Sequence, residues 1–297
     1  MSDLSSATQS SSAAEQARLV SIPVPGRAAL EGRLTLPSRA GRRPVIVVAH
    51  GFKGFLDWGF FPPLVNLLEQ RGFAVLSFNF SGSGMAIGDE RVTDLDAFRR
   101  ATFGGDVADL EAVIRFAAES ADPERIDGER LGLLGHSRGG GASILASAGA
   151  QVGGRVKALV TWAAVASFHR FSEQAIQQWR RDGVLEVVNG RTGQRLEIDV
   201  EALEELEARG DELEPAAAAS KINAPWLILH GEDDATVSEA DARRLDREAG
   251  AGNRQLRVIP GAGHTFGARH PFDGPNPQLI EVFNQTQVWF RRALGRG

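Results

Sequence analysis

The sequence predicts a doubly wound α/β fold built on a mostly parallel sheet, and three observations carry that prediction. Short, nearly continuous apolar runs recur at 45–49, 74–80, 131–134, 158–162 and 226–229, which suits strands covered on both faces. Segments of helical period lie between them, so strand and helix alternate along the chain. The chain of 297 residues is also long enough to bury roughly three quarters of the surface its unfolded form exposes, and a single α/β domain of that size is ordinary.

In chain order, 19–25 and 30–36 read as two antiparallel strands joined around Gly26 at a sheet edge. The run at 45–49 opens the parallel part and 74–80 continues it. Asp106 is placed as the N-cap of a helix whose Val107, Leu110, Val113, Ile114 and Ala117 share one face. The fifth strand, 131–134, leads through a glycine-rich turn into a helix-forming run at 142–148, and the sixth follows at 158–162. About sixty residues then separate 158–162 from 226–229, far more than an ordinary crossover. A small cap inserted after the sixth strand, at about 165–220, accounts for them. It reads as a helix around 171–180, a hairpin in which Val184, Glu186 and Val188 alternate before a turn at Asn189 and Gly190, and a Glu-rich helix around 202–208. A strand at 255–259 and a helix carrying Leu279, Val282, Phe283, Thr286 and Phe290 on one face complete a single domain over 18–297. The Ser/Ala-rich residues 1–17 are expected to be a disordered tail.

Composition removes several classes. There is no cysteine, which excludes disulfides, thiolate metal sites and cysteine nucleophiles. The formal charge of −5 is spread along the chain without a basic block, so nucleic acid has no electrostatic footprint. The start lacks the cationic-then-apolar order of a secretory signal, and no apolar run approaches the 18 or so residues of a membrane span. A soluble, cytoplasmic protein acting on a small molecule is expected, with no membrane or nucleic-acid partner; a homo-oligomer is compatible with the sequence.

The chemistry centres on Gly135-His136-Ser137-Arg138-Gly139. A G-x-S-x-G string alone is weak, but here it stands between a buried strand and a helix, the context of a nucleophile elbow. The sharp turn strains the backbone at Ser137 and needs small neighbours, and it sets the hydroxyl near a helix N-terminus that favours developing negative charge. The competing reading is a glycine-rich turn with an idle serine.

Around this motif the chain resembles the α/β-hydrolase family, and within it small-cap esterases of the cinnamoyl or feruloyl type and acylpeptidase-like hydrolases, over nearly everything from Arg18 onward. His50-Gly51-Phe52-Lys53-Gly54 is similar to the family's HGxxG loop. The resemblance implies an oxyanion hole made by the backbone amides of Phe52 and Arg138. Of six histidines, His50 and His136 belong to backbone loops by motif, His169 lies in the cap and His230 ends a strand. His270 precedes Pro271 and reads as a loop residue. His264, in Pro260-Gly261-Ala262-Gly263-His264-Thr265, stands in a loop like the one that carries the family's general base. His230-Gly231-Glu232-Asp233-Asp234-Ala235-Thr236-Val237 resembles the family's HGxxDxxV loop, and that spacing selects Asp234 as the acid. The resulting order, serine then acid then histidine, is that of the α/β-hydrolases.

The function expected from this reading is cleavage of carboxylic esters through an acyl-serine, with no metal or organic cofactor. Thioesterase, acylaminoacyl-type peptidase and, from another class, a non-catalytic ligand-binding α/β-hydrolase fold stay open. Phe52, Phe55, Trp58, Phe60, Phe61, Phe168, Phe171 and Trp179 are either core or the lining of an apolar site. Arg138, Lys53 and Arg170 are either solvated charges or partners for a substrate carboxylate. Gly82-Ser83-Gly84 reads as a tight loop.

Overall fold

The structure is a computed structural model that describes residues 17–119, 121–250 and 253–295. Most of the tail expected over 1–17 lies outside these residues, and Ala17 already begins the first strand. The described residues form ten strands: β1 (Ala17–Ile22), β2 (Leu30–Thr35), β3 (Arg43–Ala49), β4 (Ala74–Phe78), β5 (Ile126–His136), β6 (Val156–Trp162), β7 (Val184–Val188), β8 (Arg195–Asp199), β9 (Trp226–Gly231) and β10 (Arg254–Ile259). Eight of them form one sheet in the order β1-β2-β4-β3-β5-β6-β9-β10. The β1/β2 and β2/β4 pairs are antiparallel, and every later neighbour is parallel.

The apolar runs form strands because helices cover both faces of the sheet. On one face lie α3 (Phe103–Glu119), α4 (Ser137–Ala148) and α8 (Glu239–Glu248), through Leu110, Val113, Ile144 and Leu245. On the other lie α1 (Phe61–Gln70) and α9 (Pro277–Leu294), through Leu64, Leu68, Leu279 and Phe290. The five positions expected on the inner face of the last helix, Leu279, Val282, Phe283, Thr286 and Phe290, are all buried there, and Thr286 accepts the Trp162 indole N–H at 3.0 Å. Among the described residues no helix is long and apolar enough to cross a membrane.

Two expectations are corrected. The helix carrying Leu110 and Ile114 begins at Phe103, so Asp106 lies inside its first turn rather than at its N-cap. Gly104 and Gly105 stand in its first turn, and Gly104 sits so close to Glu205 and Arg209 that a Cβ there would overlap both side chains. Tertiary packing therefore overrides their low helix propensity. The hairpin turn is also longer than two residues. β7 ends at Val188 and β8 starts at Arg195, and the loop closes through hydrogen bonds from Asn189 N to Gln194 O and from Gly193 N to Asn189 O. The left-handed residue in this loop is Gly193, at φ 71°, not Gly190.

Between β6 and β9 the chain runs through α5 (Glu173–Asp182), the β7–β8 hairpin, α6 (Glu201–Arg209) and α7 (Pro215–Ala219). The helices α5 and α6 and the hairpin share an apolar cluster around buried Trp179, Ile198 and Leu203 with Phe55 and Phe98 of the main body, whereas Ala216 and Ala219 of α7 belong to the core on the α4 side of the sheet. The short helix α2 (Leu95–Arg99) docks against β8 through ion pairs of Arg99 with Glu197 and Asp199.

Candidate active site

The register of the parallel strands sets where the functional loops emerge. Ala49 of β3 pairs with Gly135 of β5, Gly135 with Thr161 of β6, Trp162 with Leu229 of β9, and Gly231 with Ile259 of β10. The loops after β3, β5, β9 and β10 thus leave one edge of the sheet at one level, the carboxyl edge where open α/β sheets hold their ligands. His50, Ser137, Asp234 and His264 sit on those four loops.

Ser137 is the first residue of α4 and has a left-handed backbone, φ 55°, an uncommon state for a residue with a Cβ. The flanking glycines permit it. A Cβ on Gly135 would overlap Ser143 and the Gly139 carbonyl, and one on Gly139 would overlap the His50 carbonyl. The elbow is therefore wedged between the β3 loop and its own helix, and the strain is held by packing.

His264 Nε2 lies 3.0 Å from Ser137 Oγ, and its Nδ1 lies 2.8 Å from Asp234 Oδ2. Asp234 Oδ1 accepts the backbone amides of Thr236 at 2.8 Å and Val237 at 2.9 Å. Burial alone would raise the Asp234 carboxyl. The hydrogen bond to His264 and the amides of Val237 and Thr236 outweigh burial, so it is held below the usual carboxylate range. An ionised carboxylate only accepts, so the His264 proton sits on Nδ1 and leaves Nε2 to accept from the serine hydroxyl. Asp233, one residue earlier, is exposed.

The two amides expected to bind an oxyanion flank this chain. Arg138 is the second residue of α4, where a helix N–H has no intrahelical acceptor. Gly51 presses against Ser137 so closely that a Cβ on it would stand 3.0 Å from Ser137 Cβ, which brings Phe52 to the same edge. The Phe52 amide donates to no acceptor among the described residues.

The Arg138 side chain points away from this chemistry. It pairs with Asp106 at 2.6 Å, donates to Thr102 O at 3.2 Å and lies over the rings of Phe52 and Phe103. Burial pushes the Asp106 carboxyl up to about 6 against the opposing pull of Arg138. Arg170 pairs with Asp241 at 2.6 Å and donates to Thr236 O, and Lys53 Nζ donates to Val188 O at 2.9 Å. Sequence reasoning gave Asp106 only the role of an N-cap and missed Asp241. Their partners lie 32 and 71 positions away, so no local pattern signals them.

The other histidines are structural. His50 Nδ1 donates to Gly51 O and its Nε2 accepts the Phe80 amide, while the His136 ring donates to the His264 carbonyl. His270 accepts the Gly59 amide and His169 is exposed. Burial lowers His50 to about 4, and burial with the nearby His264 lowers His136 to about 3. Both stay neutral in the native state but take up protons on unfolding below about 6.5, so stability is lost as pH falls through that value. Asp106 works in the opposite sense, because its native carboxyl takes up a proton first on acidification. The histidines outweigh it. From pH 7 to pH 5 the unfolding free energy is expected to fall by about 2 to 4 kcal/mol in urea titrations. A pH-independent stability over that range would contradict these protonation states.

A cavity of about 390 Å³ opens onto Ser137 and His264, walled by Phe103, Phe168, Phe171, Trp179, Leu185 and Ile198 among others. Half-buried Phe52 and Phe171 and buried Phe168 and Trp179 thus line this cavity, whereas Phe55 and Phe60 lie in the core and Trp58 and Phe61 border a smaller cavity on the other side of Ser137. Ser83 and Gly82 border only a small recess behind Phe52, away from this cavity. Among the described residues no group of three or more His, Asp or Glu side chains gathers at metal-binding range.

The family model for the alpha/beta hydrolase family matches residues 46–275. The chain belongs to that family. An uncharacterized 31.7 kDa protein from the traX-finO intergenic region of Escherichia coli is 25% identical over 284 residues, which cover 85% of this chain and 92% of the relative. The solved structure of Est1E from Butyrivibrio proteoclasticus with ferulic acid bound superposes with a TM-score of 0.69 at 19% identity, covering 93% of this chain and all of the other. The esterase domain of a Rhodothermus marinus protein gives a TM-score of 0.63 at 21% identity, over 94% and 100% of the two chains. These superpositions place the eight-stranded sheet and its flanking helices in the alpha/beta hydrolase fold.

Proposed function

We propose that this hydrolase-family chain cleaves carboxylic esters through an acyl-Ser137 intermediate. The observation that carries the reading is the unbroken hydrogen-bond chain from Ser137 through His264 to Asp234 at the mouth of an apolar cavity. His264 takes the serine proton as Oγ attacks the ester carbonyl, and the carbonyl electrons move to an oxyanion received by the amides of Phe52 and Arg138. Collapse expels the alkoxide with the proton carried by His264. Water then enters with His264 again as base, and the acid and free Ser137 are regenerated. Asp234 holds the imidazole in the competent tautomer and stabilises its charged form throughout.

The cavity supports an apolar substrate half. Its volume of about 390 Å³ falls in the range of small-ligand sites, and its walls are mainly aromatic and aliphatic. An aryl or branched acyl group fits that lining, and the neighbour crystallised with ferulic acid is in keeping with it. The partner is thus a small-molecule ester.

Two measurements test the reading. A fluorophosphonate probe should label Ser137 stoichiometrically, located by peptide mass spectrometry. Short-chain and aryl esters should turn over, and aminoacyl anilides weakly or not at all, because amide cleavage must expel a far poorer leaving group. An unlabelled Ser137 under conditions that label a control esterase would hand the fold to a ligand-binding role. Faster turnover of the anilides would make the protein a peptidase.

A further inference from the structure

A second cavity, of about 190 Å³, meets Ser137 and His264 from the other side, beneath the β7–β8 loop. Its walls include Trp58, Phe61, Thr265, Lys53, Asn189 and Arg191. Asn189 is 4% exposed, and its Nδ2 is buried without a hydrogen-bond partner among the described residues. The orientation of this amide is set by its other end, because Oδ1 accepts the Arg191 backbone N–H at 3.1 Å. One terminal nitrogen of the Arg191 guanidinium is likewise buried and unpartnered. The other lies 3.6 Å from exposed Glu90, and the guanidinium rests on the Phe55 ring.

Burying N–H donors without acceptors is costly, and native proteins seldom do so without a reason. Here the two residues that carry such donors, one of them cationic, line the same small cavity, and Lys53, whose Nζ donates to Val188 O, lines it too. No Asp or Glu lines it. The larger cavity differs: its Arg138 and Arg170 are already paired with Asp106 and Asp241. Lys53 lines both cavities, so what distinguishes the smaller one is the unpartnered donors of Asn189 and Arg191.

We propose that the smaller cavity is a carboxylate subsite, built by Asn189 and Arg191, that selects esters whose smaller half carries an anionic carboxylate while the apolar half fills the larger cavity. The assignment of an ester rests on the serine-hydrolase reading; the anion subsite rests on the unpartnered donors. A carboxylate offers two oxygens to two donors, and charge-assisted hydrogen bonds of this kind are about twice as strong as neutral ones.

The test uses ester pairs in which a carboxylate is exchanged for the isosteric primary amide. One pair places it on the alcohol half, as the phenylpropionyl esters of glycolate and glycolamide. The other places it on the acyl half, as benzyl hemimalonate and its amide. Binding to the Ser137→Ala protein, read by calorimetry, avoids turnover. The carboxylate is expected to bind about tenfold or more tightly than its amide in one of the two pairs. Asn189→Asp keeps the acceptor for the Arg191 amide and the side-chain shape but replaces the donor by an anionic oxygen, and should reverse the preference. Arg191→Gln should bring the ratio close to one. Near-ultraviolet circular dichroism checks that each variant is folded.

Equal binding of carboxylate and amide in both pairs overturns the subsite, as does a preference that both substitutions leave intact. The two readings fail separately. Labelling of Ser137 with turnover of neutral esters but no carboxylate preference removes the subsite alone. A carboxylate preference in a protein whose Ser137 is inert keeps the subsite and removes the hydrolase mechanism.

Discussion

Ser137→Ala is expected to reduce ester hydrolysis by about three orders of magnitude or more while leaving the melting temperature nearly unchanged. The two halves of this result have separate causes. Activity is expected to fall because, among the described residues, Ser137 Oγ is the hydroxyl bonded to His264 Nε2, at 3.0 Å, and what survives is the contribution expected of the oxyanion amides acting on water attack. Stability hardly moves because alanine keeps the Cβ that packs against Gly51 and meets the same left-handed backbone at φ 55°. Only one hydrogen bond to a partly exposed imidazole is lost, an effect of about 1 kcal/mol or less. Steady-state hydrolysis of an aryl ester together with a thermal melt reads both. A variant retaining a tenth or more of wild-type kcat/KM would remove Ser137 from the chemistry.

How much of this was legible in the sequence follows from the range over which each force acts. The parallel strands were visible because burial on both faces demands apolar side chains at every position, so the requirement is written into consecutive residues such as 45–49. The turn that presents Ser137 was visible for a similar reason, since its left-handed backbone needs Gly135 and Gly139 within two positions. The resemblance of 230–237 to the family's HGxxDxxV loop pointed to Asp234 over Asp233, and in the structure that loop returns two amides, Thr236 and Val237, to the Asp234 carboxylate. That is a local constraint with a fixed spacing.

What was not legible depends on partners distant in the chain. Asp106 has the look of an N-cap from its neighbours, but its place is decided by Arg138 and by the packing of Gly104 against α6. The hairpin of the inserted segment shows its alternation in sequence, yet its loop is shaped by contacts elsewhere. Gln194 both donates to Val92 O and accepts the Val92 amide, and Lys53 holds Val188 O from the oxyanion loop. These bonds bring Asn189 and Arg191 to the nucleophile, where an isolated reading of Asn189-Gly190 predicts only a tight turn. The two cavities that meet at Ser137 are accordingly products of tertiary contacts, and their different charge balance appears only once the ion pairs of Arg138 and Arg170 are known.

Asp234→Asn is expected to lower turnover by up to about four orders of magnitude, while Asp233→Asn costs less than about tenfold. The size of the first effect follows from the hydrogen bonds that Asp234 makes. Two amides, from Thr236 and Val237, converge on its Oδ1 at 2.8 and 2.9 Å. An asparagine in the same place must offer its carbonyl oxygen to them, which turns its NH2 toward His264 Nδ1. The donor now facing Nδ1 requires that nitrogen to accept, so the ring proton moves to Nε2, where it confronts the serine hydroxyl and removes the base. The carboxylate that stabilised the imidazolium is lost at the same time. Asp233 shares none of this, being exposed and fixed to Ala262 O through its backbone amide, which substitution leaves in place. Both variants should remain folded by circular dichroism, and hydrolysis of an aryl ester separates them. Loss of activity in Asp233→Asn with a competent Asp234→Asn would transfer the acid to the neighbouring residue, and full activity in both would mean that His264 is oriented by some other group.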